Sequence, residues 1–385
     1  MRTRILFPIV AALVVAACGT TADSGKTAAD TAGALIAQSP LTKLDPALSA
    51  AASSATYIRY LSTSPAGKPI EVSGAVFLPK GDAPAGGWPM IGLGHGTSGV
   101  VSACAPTNSP TLFGSAPAVT AILEGHRAVV MTNYQGLDGP GAAPYVDTPS
   151  SGYDILNSVR AARAMGLPLA GETVLVGISQ GGRAAQSASE TAKSYAPELN
   201  IRGAVLLSPA LELEFADAIR AGTLNVPDQY LILPYLVEAV RYHYPNYDYD
   251  RVIHGDLLGA APRLAAQCTG DMQPADLALA AAATPDEARF VDEAAAQAVV
   301  DLEGRTNLPK VASALPTYIA RGDADKLVST AWSNAAVAKM CALGTPVHDE
   351  VVPGGHEAPD QISERWLGWI GDLFAGAPFT ATCQR

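Results

Sequence analysis

Residues 173–184 read Thr-Val-Leu-Val-Gly-Ile-Ser-Gln-Gly-Gly-Arg-Ala, and no other stretch constrains the fold of this chain as tightly. The apolar, β-branched opening is the kind of continuous run expected of a strand buried on both faces. The small-residue run GGRAAQSASETAKSY that starts at Gly181 suits a helix. Between them, Gly177-Ile178-Ser179-Gln180-Gly181 sets a serine between two glycines. A chain that turns this sharply from strand to helix brings its flanking side chains into collision. Glycines at 177 and 181 relieve it and lift Ser179 into the open at the helix N-terminus. Five residues of this pattern occur by chance; between a strand and a helix they are specific.

The rest of the chain repeats the same rhythm. Strands are expected at 56–63, 71–79, 90–96, 128–134, 173–178, 203–208, 316–321 and 348–353, with helices at 149–165, 181–196 and 329–343. This alternation predicts an α/β fold with a mostly parallel sheet of eight strands. Residues 210–315 break the rhythm. They carry almost no strand signal but several helical pieces, among them QYLILPYLVEAVRYHY, and are too long for a loop. They read as a helical insertion standing on the sheet. Its apolar and aromatic residues suit either a surface offered to an apolar ligand or an interface, or the small core that such an insertion needs.

A serine hydroxyl needs a base to take its proton. Of six histidines, His356 is placed for it, in Val352-Pro353-Gly354-Gly355-His356-Glu357 directly after the last strand. His95, His126, His243, His254 and His348 take the structural reading. The acid that orients the imidazole is expected in Gly322-Asp323-Ala324-Asp325-Lys326-Leu327-Val328. A spacing of glycine, two residues, aspartate, two residues, valine favours Asp325 and leaves Asp323 as the turn residue. The order Ser179…Asp325…His356 is the chain order of α/β-hydrolases. An oxyanion hole would combine the Gln180 N–H with one from Gly94-His95-Gly96-Thr97-Ser98-Gly99, where Thr97 is favoured over a plain tight turn. Such chemistry needs no cofactor or metal.

The 385 residues bear a formal net charge of −11 and no long Lys/Arg run, which argues against nucleic acid as a partner. At the N-terminus, Arg2 and Arg4 precede a short apolar run that ends in Val15-Ala16-Ala17-Cys18. This resembles a bacterial lipobox, which implies cleavage after residue 17 and a lipid on Cys18; the alternative is an ordinary signal peptide. Either way the protein is exported. Residues 18–40 read as a flexible tether and residues 41–385 as the folded domain. The cysteines beyond Cys18 are Cys104, Cys268, Cys341 and Cys383. In an oxidising compartment they suggest two disulfides, with three pairings open.

GHGTSG followed by Cys104-Ala105-Pro106, Asn133-Tyr134-Gln135-Gly136 followed by SGYDILNSVRAARA, the GISQGG elbow and the helical insertion together resemble the secretory lipase family, from about Ser39 onward. The resemblance implies an α/β-hydrolase fold with a helical lid and hydrolysis of fatty-acyl esters such as triacylglycerols. It also implies disulfides pairing Cys104 with Cys268 and Cys341 with Cys383. One departure stands out: the family tends to carry acids at positions 133 and 135, where this chain has amides. The expected partners are an acyl ester or lipid substrate and, through the lipid anchor, a membrane. Two other readings share the sequence: acyl transfer to an alcohol by the same acyl-enzyme, and a non-catalytic binding lipoprotein.

Overall fold

The computed structural model describes residues 31–224 and 226–383. The signal segment 1–17, the lipidation residue Cys18 and tether residues 19–30 lie outside the described residues. The sheet has nine strands: β1 (Leu35–Pro40), β2 (Ala52–Thr63), β3 (Pro69–Pro79), β4 (Trp88–Gly94), β5 (Ala128–Thr132), β6 (Leu169–Ile178), β7 (Asn200–Leu207), β8 (Thr317–Gly322) and β9 (Val347–Val352). Their order is β1-β2-β3-β5-β4-β6-β7-β8-β9. The β1–β2, β2–β3 and β3–β5 pairs are antiparallel, and every pair from β5–β4 to β9 is parallel.

The ninth strand corrects two expectations, the count of eight and the tether boundary at residue 40. LIAQSP leaves β1 largely exposed, so its place comes from backbone pairing with β2 rather than from an apolar pattern. Interior strands of the parallel part show the reverse. Ala128–Thr132 and Thr317–Gly322 are buried at every position, as a sheet covered on both faces requires.

One face is covered by α1 (Pro46–Ala51), α2 (Ala116–Glu124) and α11 (Ser363–Ala375), whose Leu48, Val119, Ile122, Trp366 and Ile370 pack on the strands. The other face is covered by α3 (Ser150–Ala164), α4 (Gln180–Tyr195) and α10 (Thr330–Leu343). Between β7 and β8 the chain leaves the sheet and forms α5 (Phe215–Ala221), α6 (Pro227–His243), α7 (Gly255–Ala265), α8 (Pro274–Ala282) and α9 (Glu293–Thr306). These helices have their own core, including Phe215, Leu233, Val237, Val240, Leu257, Leu264, Val299 and Leu302. Most apolar residues of α6 are spent there, so packing accounts for them before any ligand does.

The two disulfides join Cys104 to Cys268 and Cys341 to Cys383. The first ties the segment after β4 to the insertion. The second ties α10 to the C-terminal tail, which also donates from Thr382 N to the carbonyl of Val347 at 2.8 Å and so covers edge strand β9.

Candidate active site

Loops leaving the C-terminal ends of parallel strands converge on one side of the sheet, the common place for a site in α/β folds. Here those loops carry Ser179 after β6, Gly94–Gly99 after β4, Asp325 after β8 and His356 after β9.

At the elbow, Ser179 has φ 55° and ψ −115°, a strained conformation for a side-chain-bearing residue. The flanking glycines are sterically required. A Cβ on Gly177 would collide with the carbonyl oxygen of Gly181, and one on Gly181 with that of Gly94. The elbow thus packs backbone to backbone against the end of β4. The Ser179 N–H donates to Leu207 O at 2.9 Å, and its carbonyl accepts from Ala210 N at 3.1 Å. Both bonds lock the strained residue to the end of β7. Gln180 opens α4, so its N–H belongs to the first turn, whose donors lack intrahelical acceptors.

His356 Nδ1 lies 2.7 Å from Asp325 Oδ2. The other carboxylate oxygen, Oδ1, accepts from Leu327 N at 2.9 Å and Val328 N at 3.0 Å. Asp325 is therefore buried with both oxygens engaged. Asp323 is exposed, and its Oδ1 accepts from Gly354 N at 2.9 Å, tying the two loops together as a turn residue. The carbonyl of His356 accepts from Ser208 Oγ at 2.6 Å. Burial alone would lower the His356 pKa. The hydrogen bond and charge of Asp325, helped by Glu357 and Asp228, outweigh it and raise the pKa above 6.5. His356 Nε2 is buried without a hydrogen-bond partner. The Ser179–His356 bond is thus unmade in this structure; such bonds are often long before substrate arrives.

Ser179, His356, Gln180 and Thr97 line one cavity of about 420 Å³. The insertion supplies much of its apolar wall through Leu213, Phe215, Leu231, Ile232, Leu236 and Met272. Among the described residues, Asp228, Glu357 and Asp360 are its carboxylates, and no Lys or Arg lines it. Thr97 is held through Oγ1, 2.9 Å from Tyr145 OH, and through its carbonyl, which accepts from Thr269 Oγ1 at 3.0 Å. His95 is buried beside Tyr134, with ring centroids 4.4 Å apart. Burial lowers its pKa to about 4, so it stays neutral and structural. Among the described residues, no His/Cys/Asp/Glu group could hold a metal ion.

The amides of Asn133 and Gln135 are both buried. Asn133 Nδ2 donates to Ser73 Oγ at 2.8 Å and Thr107 Oγ1 at 2.7 Å. Gln135 Nε2 donates to Asp154 Oδ1 at 2.8 Å and Thr63 O at 3.1 Å. Burial pushes Asp154 up to about 7 despite hydrogen bonds from Ser62 and Gln135.

Sequence reasoning missed Ser208, Thr269, Tyr145 and Gln229, which hold the site loops. It also missed Arg183. That fully buried guanidinium donates to Ala210 O at 2.6 Å, Thr306 O at 2.7 Å and Asn307 Oδ1 at 3.3 Å, at both roots of the insertion.

Strand order, crossovers and elbow define an α/β-hydrolase. Solved structures agree. The rice cell wall degrading esterase LipA from Xanthomonas oryzae has a TM-score of 0.70 and 21% identity, covering 90% of this chain and 100% of that one. Candida antarctica lipase A in its closed state has a TM-score of 0.71 and 17% identity, covering 91% and 84%. In sequence, the chain is 28% identical over 347 residues to a Mycobacterium tuberculosis protein named "Probable inactive lipase", covering 85% of this chain and 75% of that one. The secretory lipase model matches residues 115–382, and the chain belongs to that family. Its family is thus that of the secretory lipases, which points to export. No helix among the described residues is long and apolar enough to cross a membrane.

Proposed function

We propose that this protein is an exported serine carboxylic ester hydrolase acting on fatty-acyl esters. The observation that carries the reading is the buried Asp325–His356 pair, whose His356 lines the same cavity as the elbow serine. Ser179 Oγ attacks the ester carbonyl while His356 Nε2 takes its proton. The C–O bond to the alcohol breaks, and the same proton passes to the departing alkoxide. Water, deprotonated by His356, then attacks the acyl-enzyme and releases the acid, and the proton returns to Ser179. Asp325 holds the imidazole in the tautomer with Nδ1–H and favours its charged form. The Gln180 and Thr97 N–H groups stabilise the tetrahedral oxyanion.

The apolar wall of the cavity supports an acyl chain as the bound group, and its volume falls within the usual range for small-molecule sites. The word "inactive" in one relative's name belongs to that protein. In this chain the three residues of the reading are present, and two already form a 2.7 Å bond. A lipid on Cys18 would hold the domain at the outer face of the membrane, on a tether ending before Leu35.

A p-nitrophenyl ester series from acetyl to palmitoyl tests the reading, with the wild type compared with Ser179→Ala. Hydrolysis that disappears in the variant supports it, and the chain-length optimum separates esterase from lipase. Silence across the series in folded, oxidised protein would overturn it.

A further inference from the structure

The helical insertion does more than wall the cavity. Gln229, in the first turn of α6, is buried, and its Nε2 donates to Lys326 O at 2.9 Å and Leu327 O at 3.2 Å. These are the carbonyls of the two peptide groups whose N–H ends, on Leu327 and Val328, donate to Asp325 Oδ1. Each peptide is held at both ends, by Gln229 at oxygen and by Asp325 at nitrogen. A peptide carbonyl that accepts a hydrogen bond polarises its own N–H and makes it a better donor. Gln229 therefore fixes, and strengthens, the two donors that leave Asp325 Oδ2 aimed at His356.

We propose that Gln229 is a positioning residue for the acid of the site, so that the insertion helps to assemble the catalytic machinery it covers. This rests on the ester-hydrolase reading for its kinetic consequences, though not for its structural one. A second tie agrees with it on the opposite side. Thr269, also in the insertion, donates from N to Ser98 O at 2.9 Å and from Oγ1 to Thr97 O, beside the Cys104–Cys268 bond. The insertion thus grips both the acid loop and the loop that carries Thr97.

The test is Gln229→Met in the full chain, which keeps length and removes both donors. The groups facing His356 are Asp325 and Glu357 from the core and Asp228 from α6, with Asp360 beside Glu357. Asp228→Asn therefore serves as the control for a changed charge. Arg251→Ala, which breaks the exposed Arg251–Asp292 pair inside the insertion, is the control for a merely loosened insertion. For Gln229→Met the expected result is a kcat lower by about tenfold, equivalent to ~1.4 kcal/mol, with KM changed less than twofold. The acid limb of kcat/KM moves to lower pH, because a less well held Asp325 supports charged His356 less. Arg251→Ala shows neither effect. In the Ser179→Ala background, NMR titration of His356 gives a lower pKa when Gln229→Met is added, whether or not any ester is hydrolysed. That arm separates failure of this inference from failure of the ester-hydrolase reading. If Gln229→Met does not fold, Gln229→Asn, whose donor is one methylene short, makes the same comparison. Unchanged kcat and unchanged His356 titration in a folded variant would overturn the inference, as would a rise in KM alone.

Discussion

The two disulfides close loops of very different length, and that difference gives a quantitative prediction. Cys104 and Cys268 are 164 residues apart, and Cys341 and Cys383 are 42 apart. Loop-closure entropy gives ceilings of about 5 kcal/mol for the first and about 4 for the second, a difference of ~1.2 kcal/mol from the ratio of loop lengths. The positions add a functional difference. Cys268 lies next to Thr269, whose hydrogen bonds hold Thr97 and Ser98. The other bond secures a tail against Val347 at the start of β9, the end of that strand opposite the loop that carries His356. Cys104→Ala/Cys268→Ala and Cys341→Ala/Cys383→Ala should be compared by urea unfolding with linear extrapolation and by ester hydrolysis. The first variant is expected to lose more stability and to lose kcat even where it is still folded. The second loses stability and keeps kcat. A tail-bond variant destabilised as much as the other, or a folded Cys104→Ala/Cys268→Ala enzyme with full kcat, would refute the reasoning.

Other consequences follow from single groups. Because the His356 pKa lies above 6.5, kcat/KM should fall as the pH drops through that raised value, since the base must be neutral. Asp325→Asn should lower activity by a factor on the order of 10⁴ and move this limb to lower pH, measured as a pH–rate profile. The same shift links to folding. Its stabilisation is complete below 6.5 and is lost as the pH rises through the folded pKa, which urea midpoints across that window would record. Gln135→Glu would place a second carboxyl beside Asp154, itself pushed up to about 7 by burial. The variant should lose about 1–3 kcal/mol relative to wild type at pH 8, with the gap closing toward pH 5; equal loss at both would contradict the carboxyl-pair account. Intact-mass measurement of the membrane fraction should find the chain starting at Cys18 with a lipid adduct, and Cys18→Ser should release it.

What the sequence disclosed, and what it withheld, follows from where each residue's partners lie. The elbow was legible because its requirements are local: an apolar strand, two glycines that cannot bear a Cβ and a small-residue helix. Asp325 and His356 were legible from the short loops that follow two strands, and the exposed turn position of Asp323 agrees with its spacing. Strand β1 was missed because only Leu35 of its side chains packs on the core, which leaves no apolar pattern to read. Helix α8 was missed because, of PADLALAAA, only Asp276 and Ala280 are buried, leaving no apolar stripe. Gln229, Thr269 and Arg183 had no local signature at all. They hold backbone carbonyls 97, 172 and 123 positions away, which any residue type can supply. A sequence can reveal where a site's chemistry is placed, but the supports that hold it come from contacts that only the fold creates.

The central claim is that Ser179 is a nucleophile activated by His356. The most direct measurement is covalent trapping: incubate the folded, oxidised protein with a fluorophosphonate and locate the adduct by peptide mass spectrometry. The account predicts one stoichiometric phosphonyl adduct, on the peptide containing Ser179, absent in Ser179→Ala and formed far more slowly in His356→Ala. An unmodified Ser179 in folded protein, or labelling that proceeds equally without His356, would contradict it.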